Sequence, residues 1–309
     1  MAAAARPRTR PVVLVGDLGT LRAAAEVVGV EQRRLVPFDG KAKDLDALYV
    51  LAAGPELGAS DRRPGQPTAR SGAAQLAYIE AAYALAKARR GRALVTGPVS
   101  KAAIAHSGGR RVARFRGHTE WLQELDGAPS SVMCFAASRL VTSLVTTHLP
   151  LRKVPRALTP QGVQEATVEL VRLVQALGVK RPTIAVCSLN PHAGEDRLLG
   201  DEEARAIVPG MAGATKVLGR RATLVGPVGA ETAYRKAYAG HFAGVVAMYH
   251  DQATIPMKLV AFGEGVNVTM GLSIVRTSVD HGTGYDIAWS GKASADGMAA
   301  ALQLAERLI

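Results

Sequence analysis

Residues 222–250 read ATLVGPVGAETAYRKAYAGHFAGVVAMYH. An apolar run (ATLVG, 222–226) gives way to a helical pattern near 231–239, then to a second apolar run, GVVAMY (244–249), ending at His250. Short apolar runs alternating with helical periodicity predict strand–helix–strand units, and so an α/β fold with a largely parallel sheet. The alternation continues outward. Thr159-Pro160 is a cap followed by a good first helical residue, and the helix it opens should end before Gly178. TIAVCSL (183–189) then reads as a strand and 201–207 as another helix. Towards the start, VVLVG (12–16) reads as a buried strand. Residues 71–90 read as a helix with Leu76, Ile79 and Tyr83 on one face, and ALVT (93–96) as the next strand. Two β-rich runs, SVMCFA (131–136) and LVTSLVTT (140–147), lie between, and a last helix covers about 296–308. The Gly-, Pro- and charge-rich stretch 53–70 is expected to be a mobile surface segment.

Composition narrows the function classes. The chain has 309 residues, 48% hydrophobic and 21% charged, which excludes a disordered or fibrous protein. No apolar run approaches the ~18 residues of a membrane helix. The net charge of +12 invites a nucleic-acid reading, but the basic residues are scattered in pairs such as Arg110-Arg111 and Arg220-Arg221. Aromatic residues are only 5%, too few for base stacking, so an anionic small substrate is the better expectation. Cys134 and Cys187 sit in apolar runs and are expected as buried free thiols. MAAAARPRTR has charge but no apolar core behind it, so a cytoplasmic protein is expected.

His148, His192 and His250 share one context: each lies just past the carboxyl end of an apolar β-run. Ligands of open parallel sheets bind at that end. Three imidazoles delivered there could hold one divalent metal and leave positions open for substrate oxygen. Asp251 could be a ligand, a base or an orienting partner, or simply the cap of the next turn. Lys258, Asn267 and Arg276, on apolar or extended segments (MKLVAF, GVNVTMG, SIVRTS), would suit an anion, and the alternative is a solvated strand edge. His118 and Thr119 precede a predicted helix whose free amides favour anions, and the alternative is a helix cap. VDHGTGYDIAWSGKA (279–293) is a permissive loop before the last helix. Neither GxGxxG after a strand nor GxxxxGK[ST] is present.

Seven motifs in order, TGPVSK (96–101), GHTEW (117–121), TTHLPLRKVP (146–155), LNPHAGE (189–195), MYHDQ (248–252), GVNVTMG (265–271) and IVRTSVDHGTG (274–284), resemble the series of the 4-hydroxythreonine-4-phosphate dehydrogenase family. The resemblance covers roughly residues 12–309. It implies an α/β/α two-domain isocitrate/isopropylmalate dehydrogenase-like fold, with 1–120 plus 280–309 as an outer domain and 121–279 as a central dimerisation and metal-site domain. It implies a homodimer with a shared active site. A divalent ion (Zn, Mg, Co or Mn) would be held by His148, His192 and His250, one of them from the partner. Substrate contacts would come from His118, Thr119, Lys258, Asn267 and Arg276. HGTGYDIA resembles the superfamily loop that holds the adenosine of NAD, which implies cofactor contacts from Asp280, His281, Gly282, Thr283 and Asp286; NADP is possible.

The implied reaction is oxidative decarboxylation of 4-phosphooxy-L-threonine to 3-amino-2-oxopropyl phosphate in pyridoxine 5'-phosphate biosynthesis, with Asp251 or Lys258 as the base. The alternatives are a paralogous erythronate or threonate 4-phosphate dehydrogenase and an inactive truncated homologue. Two departures stand out. VVLVGDLGTLRAAAEVVG (12–29) resembles the family's second strand–helix unit, so the first unit is expected to be missing and a sheet flank exposed. Glu231 stands where the family usually has Asp.

Overall fold

The computed structural model describes residues 1–261 and 263–309. Along the chain, strands and helices run β1 (Val12–Val15), α1 (Leu18–Val27), β2 (Leu35–Pro37), β3 (Leu48–Leu51), α2 (Ala69–Lys87), β4 (Ala93–Thr96), α3 (Lys101–Ala105) and α4 (His118–Asp126). They continue through β5 (Val132–Ala136), β6 (Val141–Leu144), α5 (Val154–Ala157), α6 (Pro160–Ala176), β7 (Thr183–Cys187), α7 (Val208–Leu218), β8 (Thr223–Val228), α8 (Ala230–Tyr238) and β9 (Gly244–Ala247). The last elements are α9 (His250–Ala261), β10 (Val266–Met270), β11 (Val275–Ser278) and α10 (Asp296–Leu308). The chain forms two compact units, Met1–Pro129 with Leu272–Arg307, and Ser130–Gly271.

In the first unit β1, β3 and β2 form a parallel sheet in the order β1-β3-β2. β4 pairs in parallel with β11, placing Arg276 opposite Leu94 and Ser278 opposite Thr96. Local chemistry fixes the helix starts. The Asp17 carboxylate accepts from the Thr20 amide at 2.7 Å and caps α1. Thr68 and Ser71 cap α2 reciprocally, satisfying amides that a helix start leaves unpaired. The α2 face expected from the sequence is the buried one: Leu76, Ile79 and Tyr83 pack with Leu94, Ile104 and Leu122. Tyr83 Oη donates to Asp126 at 2.8 Å, and Lys87 reaches the same carboxylate at 3.0 Å.

β1 departs from expectation. Its VVLV run reads as a strand buried on both faces, yet all four residues are only half-buried. One edge of β1 pairs with β3; along the other edge runs a cavity, so these side chains lack one lateral neighbour. The 53–70 stretch is not featureless: it contains a 3-10 turn over Ala59–Arg62, and Arg62 bridges to the buried Asp17 carboxylate at 3.0 Å.

In the second unit the strand order is β10-β5-β6-β9-β7-β8. The β10–β5 and β5–β6 pairs are antiparallel; β6–β9, β9–β7 and β7–β8 are parallel. Thr159 caps α6 by accepting from Gly162 N at 3.1 Å, as the sequence predicts. The core joins Leu144, Ala185, Val245 and Ala247 to Ala233 and Tyr234 of α8. Cys134 and Cys187 are free and fully buried. Burial raises the Cys187 thiol to about 12, so both behave as small apolar groups. Among the described residues no helix is long and apolar enough to cross a membrane.

Candidate active site

The first unit gathers cationic groups at the start of α4. His118 is the first residue of that helix, with Gly117 before it, at an end whose free amides favour anions. Arg276 is 3% exposed, and its Nη2 donates to Thr96 Oγ1 at the end of β4 at 2.8 Å. Lys101 opens α3, and its Nζ lies 3.6 Å from where a Cβ on Gly117 would stand. Burial, then the Arg276 and Lys101 charges, lower His118 to about 3, so near neutral pH it is an uncharged imidazole that both donates and accepts. Burial lowers Arg276 to about 10, against the pull of Glu120. Arg276, Lys101 and the helix amino end are the cationic groups here, with a Glu120 carboxylate oxygen 3.1 Å from the same Gly117 position; such a cluster can hold phosphate or carboxylate. Thr119 follows in the first turn, inside the helix rather than before it.

The second unit carries the three histidines, each just beyond a strand end: His148 after β6, His192 after β7 and His250 after β9. The His148 and His250 ring centroids lie 5.4 Å apart. Asp251 Oδ1 is 2.7 Å from His250 Nδ1, which orients that ring and leaves Nε2 as the nitrogen turned to other partners. His192 does not complete a cluster within the chain: among the described residues no group of three His, Cys, Asp or Glu side chains could hold a metal.

The segment carrying His192 is held in an unusual backbone. His192, Ala193, Glu195, Asp196 and Arg197 all have positive φ, at 51°, 54°, 42°, 52° and 76°. Non-glycine residues persist there only where their surroundings impose it, often at functional sites. The buried Glu203 carboxylate supplies part of that constraint, accepting from Leu189 N at 2.9 Å, Asn190 N at 2.8 Å and Asn190 Nδ2 at 2.9 Å. Further hydrogen bonds lace the three histidine-bearing strand ends together. Thr146 Oγ1 donates to the Met248 carbonyl at 2.8 Å. Gln252 accepts from Met248 N at 2.7 Å and donates to the Ser188 carbonyl at 2.9 Å.

The remaining expected residues fall as follows. Lys258 lies on α9, not on a strand, and is exposed. Its apolar neighbours belong to a helix of which Met257 is buried while Leu259 is 83% exposed. Phe262, at the end of the MKLVAF segment, lies outside the described residues. Asn267 is on β10, and its buried Oδ1 has no hydrogen-bond partner among the described residues, an acceptor that a ligand's donor would satisfy. Asp280, His281, Gly282, Thr283 and Asp286 follow β11 in a surface loop, where His281 Nδ1 contacts the Gly282 carbonyl at 2.9 Å. Lys101, Thr96, Thr146, Gln252 and Glu203 had no role in the sequence reading. Four of them sit in or beside quoted motifs; Glu203 had no signal, because its partners are backbone amides.

The chain thus has two α/β units, one with cationic groups at a helix start and the other with three histidines at laced strand ends. Comparison makes the assignment narrower. Residues 8–305 match the family described as pyridoxal phosphate biosynthetic protein PdxA, and the chain belongs to that family. A 4-hydroxythreonine-4-phosphate dehydrogenase of Geobacter metallireducens is 39% identical over 300 residues, covering 96% of this chain and 86% of the relative. A D-threonate 4-phosphate dehydrogenase of Pectobacterium atrosepticum is 38% identical over 299 residues, covering 96% and 89%. The crystal structure of the Klebsiella pneumoniae 4-hydroxythreonine-4-phosphate dehydrogenase superposes with a TM-score of 0.83 at 33% identity, covering 99% of this chain and 93% of that one. The expected isopropylmalate dehydrogenase-like fold and oxidoreductase family are therefore correct.

Proposed function

We propose that the chain oxidises and decarboxylates 4-phosphooxy-L-threonine to 3-amino-2-oxopropyl phosphate, with NAD as hydride acceptor and a divalent ion in the site. The observation that carries this reading is the convergence of Arg276, Lys101 and neutral His118 at the start of α4. It supplies a seat for the phosphate or the carboxylate, and Asn267 adds an unfilled acceptor for the substrate's donors. Binding energy at a group remote from the reacting carbon serves to orient it.

The donor set fits a divalent ion. Two imidazoles are already adjacent, and one has its far nitrogen fixed by a carboxylate. His192 of a second copy would be the third ligand. Exposed apolar residues support such a homodimer, because they flank the histidines: Leu149 and Leu151 after His148, Leu198 and Leu199 after His192, Ile255 and Leu259 on α9. A bound divalent ion supplies electron withdrawal at the oxygen where negative charge develops. The chain's own groups do the rest. Asp251 holds the His250 ring, which leaves Lys258, on the same helix, to take the hydroxyl proton through water. A bound nicotinamide would accept the hydride from the carbon bearing the hydroxyl, and the β-keto acid so formed would lose carbon dioxide. The exposed loop with Asp280, His281, Gly282, Thr283 and Asp286 holds the adenosine part of NAD.

The D-threonate 4-phosphate relative supports a second reading with the same parts. Steady-state NADH formation from the two substrates, measured side by side, separates them. A higher kcat/KM for 4-phosphooxy-L-threonine supports the first reading, and a higher value for D-threonate 4-phosphate replaces it by the second.

A further inference from the structure

We propose that the first unit holds a second anion site, built on the turn before α4, and that it takes a short chain of linked phosphates, a di- or triphosphate group. A cavity of about 450 Å³ is lined by Arg110, Arg111, Arg114 and Arg116 of that turn and by Glu120, Trp121 and Glu124 of α4. His118, Lys101 and Arg276 do not line it, so these arginines are not the cationic groups described above. In the sequence Arg110-Arg111 reads as one scattered basic pair; the fold brings Arg114 and Arg116 to the same cavity.

The turn is anchored. Val112–Arg114 form a 3-10 turn, in which Ala113 N donates to the Gly109 carbonyl at 3.0 Å and Phe115 N to the Val112 carbonyl at 2.9 Å. Phe115 is buried, its ring centroid 5.6 Å from that of Trp121, and Val112 packs against the same core. Burying the apolar side of RRVARFR (110–116) leaves its arginines exposed. Residues three apart in a 3-10 turn lie on one side, which puts Arg111 and Arg114 together. Arg111 is itself held in place: its Cζ lies 4.4 Å from the Trp121 ring centroid and its Nε donates to Glu124 at 3.0 Å.

Two features ask for a ligand. The side chains of Arg110, Arg114 and Arg116 make no hydrogen bond or ion pair with any described residue. Four guanidinium groups face two carboxylates, of which Glu124 is already engaged by Arg111, and such an excess of like charge repels itself until an anion neutralises it. Independently, Trp121 is 4% exposed and its Nε1 has no acceptor among the described residues. A buried indole N–H ordinarily finds one, and an anion's oxygen in the cavity would supply it.

The donor set selects the ligand. Forked guanidinium donors match phosphate oxygens, and three unengaged forks match linked phosphates better than a single one. A nucleic-acid backbone would meet Glu120 and Glu124 at the wall, and Arg111 covers the Trp121 ring, so no stacking platform is offered to a base. The site stands whether or not the proposed reaction does.

The test follows Trp121 emission in the full chain carrying Trp289→Phe, which removes the other of the two tryptophans, during titration with tripolyphosphate. A saturable change is expected, with one anion per chain by calorimetry, and orthophosphate should bind about tenfold more weakly or worse. Arg114→Ala combined with Arg116→Ala should weaken binding about tenfold or more with the circular dichroism unchanged. Arg276→Met should leave binding as it is. ATP forms a second arm: binding no tighter than tripolyphosphate assigns the site to the phosphate chain alone, tighter binding makes a nucleotide the source, and either upholds the site. The proposal is overturned if tripolyphosphate gives no saturable change, if the double arginine variant binds like wild type, or if orthophosphate binds equally well. It is also overturned if Arg276→Met abolishes binding, which would put the anion in the other seat, or if duplex DNA displaces tripolyphosphate at lower concentration. Should the double variant not fold, Arg110→Ala is held to the same criterion.

Discussion

Replacing Arg276 by Met removes the most buried charge of the anion seat. The guanidinium is 3% exposed and bonded to Thr96 Oγ1 at 2.8 Å, so it is already positioned before any ligand arrives. A hydrogen bond to a charged group is worth about 1.5–3 kcal/mol. At ~1.4 kcal/mol per tenfold, losing one such contact lowers kcat/KM by about 10- to 150-fold. Folding responds differently. Burial opposes the Arg276 charge and lowers its pKa to about 10, so Met in the same space removes a desolvation cost. The urea midpoint should stay level or rise. The His118 titration, followed by NMR, should move up from about 3, because Arg276 is the larger of its two neighbouring charges. NADH kinetics, urea unfolding and the histidine titration together form the assay. Activity within threefold of wild type, or a fall in stability that accounts for the lost activity, would refute the reasoning.

Other outcomes follow from the same structure. Burial alone would raise Asp126, but bonds from Ser273, Lys87 and Tyr83 outweigh it and hold the carboxyl at about 2. Its folded pKa is depressed, so the stabilisation is present above the unfolded value near 4 and is lost as pH falls towards 2. Asp126→Asn should therefore cost about 2 kcal/mol at neutral pH, and urea curves of the two proteins should converge near pH 2. His192→Ala should abolish metal-dependent NADH formation while leaving a folded dimer by circular dichroism and light scattering. Full turnover of that variant under metal-free conditions would contradict the proposed role of the imidazoles.

Much of the fold could be read from the sequence because its signals are local. Thr159-Pro160 opens α6 through a side-chain bond three residues long, and the 296–308 helix shows its period within its own residues. The α2 face was legible for the same reason: Leu76, Ile79 and Tyr83 recur at helical spacing. What depends on distant partners was not. VVLV carries the pattern of a doubly covered strand, and nothing within those four residues tells that one flank opens on a cavity. MKLVAF reads as readily as a strand, but Lys258 belongs to a helix that begins at His250, where a strand has just ended.

The site divides in the same way. The strand-end context of His148, His192 and His250 was visible as apolar runs ending in histidine, and the structure places all three there. The bonds that lace those ends, through Thr146, Gln252 and Glu203, join residues far apart or bond side chains to backbone, so no residue pattern announced them. Lys101 was visible only as the end of TGPVSK; its task follows from its position against Gly117.

The most direct test of the central claim is NADH formation from 4-phosphooxy-L-threonine by the purified chain, with and without a chelator. The account predicts turnover that the chelator abolishes and that added divalent ion restores. Turnover unaffected by complete removal of metal, or none at any metal concentration with a dimer intact, would contradict it.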